Sequence, residues 1–96
     1  MSRNSDVSIP ARAWTQLTSN DVTAIRVTNI SGGVTFLLKA TVGASAPTDR
    51  DGAIPLAPGA TTATDLTLAQ LFPGTAGANR VYAYAQDVSS ASVSHA

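Results

Sequence analysis

The chain has no cysteine, no glutamate, a single lysine, and a single histidine that stands next to its last residue. Without cysteine there is no disulfide framework, no thiolate metal site and no cysteine nucleophile. Without glutamate the bidentate ligand that closes a common calcium loop is missing. Six Lys and Arg balance six Asp, and only 12% of residues are charged. A nucleic-acid binder that works through a general basic field is therefore excluded, because phosphate affinity needs clustered cations. There is no run of eighteen apolar residues, so no membrane-spanning helix is expected. Residues 1–6 lead into no apolar stretch, so no secretory signal is expected either.

What remains is a short chain rich in small and β-branched residues. Ninety-six residues are enough for one domain and one core. Hydrophobic residues make up 44%, but 17 of them are Ala, and Leu, Ile, Val and Phe together number only 21. That lies just above the level of roughly 20% at which disorder becomes the default. Twelve Thr, eight Val and four Ile, with little Lys and no Glu, argue against disorder and for strands. A thin core in a β-rich chain suggests that neighbouring copies supply part of the burial.

The plainest strand is 34–42, where every even position is apolar and three of the four odd positions are Thr or Lys. The β-branched stretch 22–30 precedes it, and Ser31-Gly32-Gly33 joins the two. Gly-Gly suits a tight two-residue turn, so a hairpin is expected, with Val27 facing Leu38 and Ile25 facing Ala40. Further strands are expected at 6–9, 13–18, 54–56, 61–65, 80–86 and 91–95, separated by turn signals. A short helix is expected near residues 66–72, capped by Asp65, with Leu68, Leu71 and Phe72 on one face and Pro73 ending it. The pattern predicts one all-β domain over 1–96, a small antiparallel β-sandwich or β-barrel. Residues 1–12 are read as an N-terminal arm that can extend onto a neighbouring subunit.

The inventory of reactive groups is short. His95 lies too close to the end of the chain to anchor a preorganised site, and no Gly-x-Ser-x-Gly elbow exists, so no enzyme is expected. Asp49-Arg50-Asp51-Gly52 opens like a calcium loop but reads better as a surface turn. Gly74-Thr75-Ala76-Gly77 lacks the rest of a phosphate loop. Asn29-Ile30-Ser31 matches a glycosylation sequon only by chance. No catalytic residue, cofactor or metal ligand is assigned. Five residues stand out as candidate partner contacts: Trp14, Arg26, Lys39, Tyr82 and Tyr84. Tyr82 and Tyr84 share a strand face, and with Trp14 they could stack on a sugar, although such residues more often cover a sheet or an interface. The expected hairpin sets Arg26 opposite Lys39, a like-charge pair that requires an acid of the same chain or of a neighbour.

Several stretches resemble small proteins encoded among the head genes of tailed bacteriophages. They are Ala13-Trp14-Thr15-Gln16-Leu17-Thr18 with Asp21-Val22-Thr23-Ala24-Ile25-Arg26-Val27, and Lys39-Ala40-Thr41-Val42-Gly43 with the Ala-Pro-Thr loop after it. The IPLAPG turn from Ile54, the segment Asp65-Leu66-Thr67-Leu68-Ala69-Gln70-Leu71-Phe72-Pro73-Gly74 and the Val93-Ser94-His95-Ala96 end complete the likeness. It covers residues 13–96 and rests on packing and turn motifs. The resemblance implies a virion structural protein, a capsid decoration (cement) protein on the head surface, made in the cytoplasm of the host bacterium. The implied partner is the major capsid protein or another virion protein, with a homo-oligomer, a trimer favoured, and no nucleic acid or membrane involved. A neck, tail or fibre-associated subunit is the alternative within that class, and a carbohydrate-binding β-sandwich module the alternative outside it.

Overall fold

The computed structural model describes residues 3–19, 21–43, 46–62 and 67–95. Along them run β1 (Arg3–Ile9), β2 (Thr15–Gln16), β3 (Arg26–Asn29), β4 (Phe36–Thr41), β5 (Ile54–Leu56), α1 (Leu68–Leu71), β6 (Arg80–Ala85) and β7 (Ser89–His95). Two antiparallel sheets result: sheet A in the order β1-β7-β3 and sheet B in the order β2-β6-β4-β5. The all-β expectation holds, and one short helix accompanies the sheets.

Alternation along the strands decides which side chains face inward. In β7, Ser89, Ala91, Val93 and His95 are buried while Ser90, Ser92 and Ser94 face out. In β4, Phe36, Leu38 and Ala40 are buried while Leu37, Lys39 and Thr41 lie on the outer side. The core joins these to Ile9, Leu17, Val27, Leu56, Leu68 and Val81. Alanines 40, 83, 85 and 91 fill central positions of it, so the small residues that inflate the apolar count do serve as core.

The expected hairpin between 22–30 and 34–42 does not form. β3 pairs with β7 in sheet A, whereas β4 pairs with β6 and β5 in sheet B. Both hydrogen-bonding edges of β3 are occupied, one by β7 and the other by residues 60–62. There the Asn29 amide donates to the Ala60 carbonyl at 2.9 Å and the Thr62 amide to the Val27 carbonyl at 3.0 Å. Ser31-Gly32-Gly33 carries the chain from one sheet to the other. Val27, Ile25, Leu38 and Ala40 are all buried as expected, but from opposite layers. A period-two pattern fixes the face a side chain takes, not the strand it pairs with.

The N-terminal residues, read as an arm toward a neighbour, form β1 on β7 of the same chain over Arg3–Ile9. Beyond it the Arg12 amide donates to the Ala85 carbonyl at 2.6 Å as the chain passes into sheet B. The strand expected over 13–18 shortens to Thr15–Gln16. Of the stretch 61–65, Thr61 bridges Thr28, and residues 63–65 lie outside the described residues. The helix shortens to Leu68–Leu71, and its N-cap is Thr67. Asp65, expected as the cap, lies outside the described residues. Thr67 accepts from the Gln70 amide while the Gln70 side chain accepts from the Thr67 amide, a reciprocal capping box.

Candidate functional site

Residues paired across a ladder point to the same side of the sheet. On the outer side of sheet B the register sets Leu37 opposite Tyr84 and Lys39 opposite Tyr82, and on the flanking strands Pro55 opposite Leu37 and Gln16 opposite Tyr82. Trp14, just ahead of β2, joins them with its ring centroid 5.4 Å from that of Tyr84 and the planes tilted by 48°. Four of the five residues singled out from the sequence (Trp14, Lys39, Tyr82 and Tyr84) therefore share one face.

Arg26 does not. It lies on the outer side of sheet A, opposite Ser94, because β3 and β4 belong to different layers. The like-charge opposition with Lys39 never arises. The acid expected near Lys39 is Asp49, whose carboxylate accepts from the ammonium. Arg80, at the end of β6, is held by Asp21 at 2.7 Å.

The tyrosines differ in what they leave available. Tyr82 is only 4% exposed. Its hydroxyl donates to Gln16 Oε1 at 3.1 Å, and Gln16 Nε2 donates to the Thr18 carbonyl at 2.7 Å. Tyr84 is half-buried, with the Arg50 guanidinium 5.2 Å from the centre of its ring. A cation over an aromatic face is attracted by the ring quadrupole. The β4–β5 loop thus reaches the aromatic face through two neighbouring residues, Asp49 on Lys39 and Arg50 on Tyr84. Sequence reading missed Arg50, Gln16, Leu37 and Pro55 as members of this face. The outward parity of Leu37 was visible in β4, but nothing in the sequence marked where Arg50 would land.

The Asp49–Gly52 stretch is a surface turn, as its sequence suggested. Asp49 Oδ1 accepts from the Asp51 amide at 3.3 Å, and Gly52 takes a φ of +74°. Asp49 is held below the usual aspartate range by the hydrogen bond from Lys39, then by that from the Asp51 amide, then by the lysine charge itself. Asn29 is 1% exposed, with both ends of its amide engaged, so the Asn29-Ile30-Ser31 sequon presents no acceptor side chain. His95 is buried and accepts from the Ser19 amide through Nε2 at 3.1 Å, a structural place for the histidine. Among the described residues no group of three or more His, Cys, Asp or Glu is arranged to hold a metal ion.

The face can bury apolar and aromatic surface against a partner. Its members are already ordered by contacts within the chain, which lowers the entropy lost on binding. Comparison with protein-family models, with curated proteins and with solved structures gives no match.

Proposed function

We propose that the chain is a structural protein of a phage virion, and within that class a capsid decoration (cement) protein. In this reading it binds the outside of the head as a homo-oligomer and stabilises contacts between major capsid subunits. The observation that carries it is the outer side of sheet B, where Trp14, Leu37, Tyr84 and Pro55 make a preordered apolar and aromatic face beside Lys39 and Arg50. Large aromatic and aliphatic anchors held in fixed rotamers are what a stable docking surface requires. The likeness of residues 13–96 to small proteins of phage head genes supplies the class of partner. A carbohydrate-binding role has less support. Tyr82 is buried and hydrogen-bonded to Gln16, Arg50 occupies Tyr84, and Trp14 is half-buried with its ring against Tyr84.

Particles assembled with and without this chain, compared under heating and osmotic shock, test the reading. Particles lacking it should burst at lower temperature and at milder dilution, and particles carrying Trp14→Ala chain should bind fewer copies. Equal survival rejects the cement role. A few copies per particle, confined to one vertex, would move the protein to the neck or tail.

A further inference from the structure

We infer that the outer side of sheet A is the surface through which two copies of this chain pair about a two-fold axis parallel to β7. This deepens the homo-oligomeric part of the preceding reading but stands on sheet A alone. The register defines the face. Across it run the rows Asn4–Ser94–Arg26 and Asp6–Ser92–Thr28, and then Ser8–Ser90, where the Ile30 amide donates to the Ser90 carbonyl at 3.2 Å.

Two features of this face bear on pairing. It carries one acid and one base, Asp6 on β1 and Arg26 on β3, at opposite edges of the central strand. Both are exposed and, like Arg3, Arg12, Arg50, Asp51 and Asp87, have no ion-pair partner among the described residues, so both can meet the charges of a second copy. The second feature lies at the Ser90 end. Ile30 and Val88 are 45% and 72% exposed, the latter the most exposed large hydrophobic residue described. Between these features the face carries short hydroxyl side chains, which add little bulk.

A two-fold axis in the plane of contact and parallel to β7 lays β1 of each copy over β3 of the other without reversing the ends. Asp6 then lies one row away from the partner copy's Arg26, about 7 Å along the strand, a gap that an extended arginine side chain covers. Symmetry makes two such ion pairs. The same operation brings the Ile30 and Val88 end of one copy onto that of the other, apolar on apolar. The other in-plane two-fold, across the strands through Ser92, would set Asp6 on Asp6 and Arg26 on Ile30. Like charges and a buried lone cation disfavour it. An isologous contact of this kind closes as a dimer, not as the trimer expected from sequence. Three strands of this length offer on the order of 300–400 Å² per copy, well below the roughly 800 Å² of a stable interface, so pairing should be weak and concentration-dependent.

Sedimentation equilibrium and an NMR dilution series on the isolated chain test this with no capsid present, so the result is independent of the decoration role. Dimers should form at high concentration, with dilution shifts confined to the outer side of sheet A. Asp6→Arg and Arg26→Asp should each weaken pairing by about tenfold, the equivalent of about 1.4 kcal/mol. The double reversal should restore it, and Val88→Asp should abolish it. All three substitutions fall on exposed positions, and a thermal melt confirms that each of the four variants folds. A monomer at every concentration, a trimer, shifts centred on Trp14 and Tyr84, or a double reversal as weak as the singles would overturn the inference.

Discussion

Asn29, on the last position of β3 in sheet A, donates through Nδ2 to the Leu56 carbonyl on β5 of sheet B at 2.7 Å. The same nitrogen donates to the Val34 carbonyl at 2.7 Å, and Oδ1 accepts from the Ser31 amide at 3.0 Å and the Ser31 hydroxyl at 2.6 Å. One buried amide thus ties the end of β3, the crossing turn and the neighbouring sheet together. It explains why Ser31-Gly32-Gly33 turns between layers instead of closing a hairpin.

Asn29→Ala should therefore be among the more damaging single substitutions. It removes the donor to the buried Leu56 carbonyl, at about 1–3 kcal/mol for a group left unsatisfied, while the Val34 carbonyl keeps the Ser31 hydroxyl at 2.7 Å. Urea denaturation should show a loss of about 1–3 kcal/mol with little change in the slope. A loss below about 0.5 kcal/mol, the size of a neutral surface change, would show that water replaces the amide.

Leu38 and Leu37 are neighbours with opposite fates. Leu38→Ala removes a fully buried side chain and should cost about 2–5 kcal/mol. Leu37 lies on the outer side of sheet B against Tyr84 and Pro55, so Leu37→Ala should cost about 1 kcal/mol and show its larger effect on capsid binding. Paired denaturation and particle-binding measurements separate the two. Equal stability losses would mean that the outer face is structural and not a docking surface.

How much of this was legible follows from what periodicity encodes. The alternation in 34–42 placed Leu38 and Ala40 inside and Lys39 outside, and the structure agrees. The Tyr82 and Tyr84 parity placed them on one face of their strand, and the register agrees, with Tyr82 opposite Lys39 and Tyr84 opposite Leu37. Pairing partners were not legible, because Gly32-Gly33 serves a crossing turn as readily as a hairpin, and the competing partners of β3 come from residues 60–62 and β7, far away in sequence. Arg26 was thus assigned to the wrong layer. The cap was misread for a local reason: Asp65 and Thr67 are both good N-caps, and only Thr67 has Gln70 three residues on to complete the box.

That box makes a third prediction. Thr67→Ala removes the hydroxyl that accepts from the Gln70 amide, and should cost about 0.5–2 kcal/mol. Leu68→Ala, one residue on, should cost more, since Leu68 is a buried core residue. Hydrogen exchange at the Gln70 and Leu71 amides should accelerate in Thr67→Ala while the β6 and β7 amides stay protected. Acceleration spread evenly over both sheets would mean that this helical turn is coupled to the whole fold.

The last prediction concerns acid. Asp49 is held below its ordinary value first by the hydrogen bond from Lys39, then by the Asp51 amide, then by the lysine charge, against a small opposing effect of burial. In the unfolded chain those partners are gone, and the carboxyl returns to about 3.9. A group whose folded pKa is depressed contributes stability that is complete above the unfolded value and disappears as pH falls through the folded one. The Asp49 contribution should therefore be constant from neutrality down to about pH 4 and fade below it. The pair sits at the surface, so the contribution should be small and should shrink further with added salt. Carboxyl-carbon NMR through the acid range reads this directly. Lys39→Met should move the Asp49 midpoint upward toward the ordinary value, leaving only the depression due to the Asp51 amide. It should also loosen the loop that sets Arg50 over Tyr84, which a change in the Tyr84 ring shifts would report. A midpoint that does not move on removing Lys39 would assign the depression to the turn alone and detach the β4–β5 loop from the aromatic face.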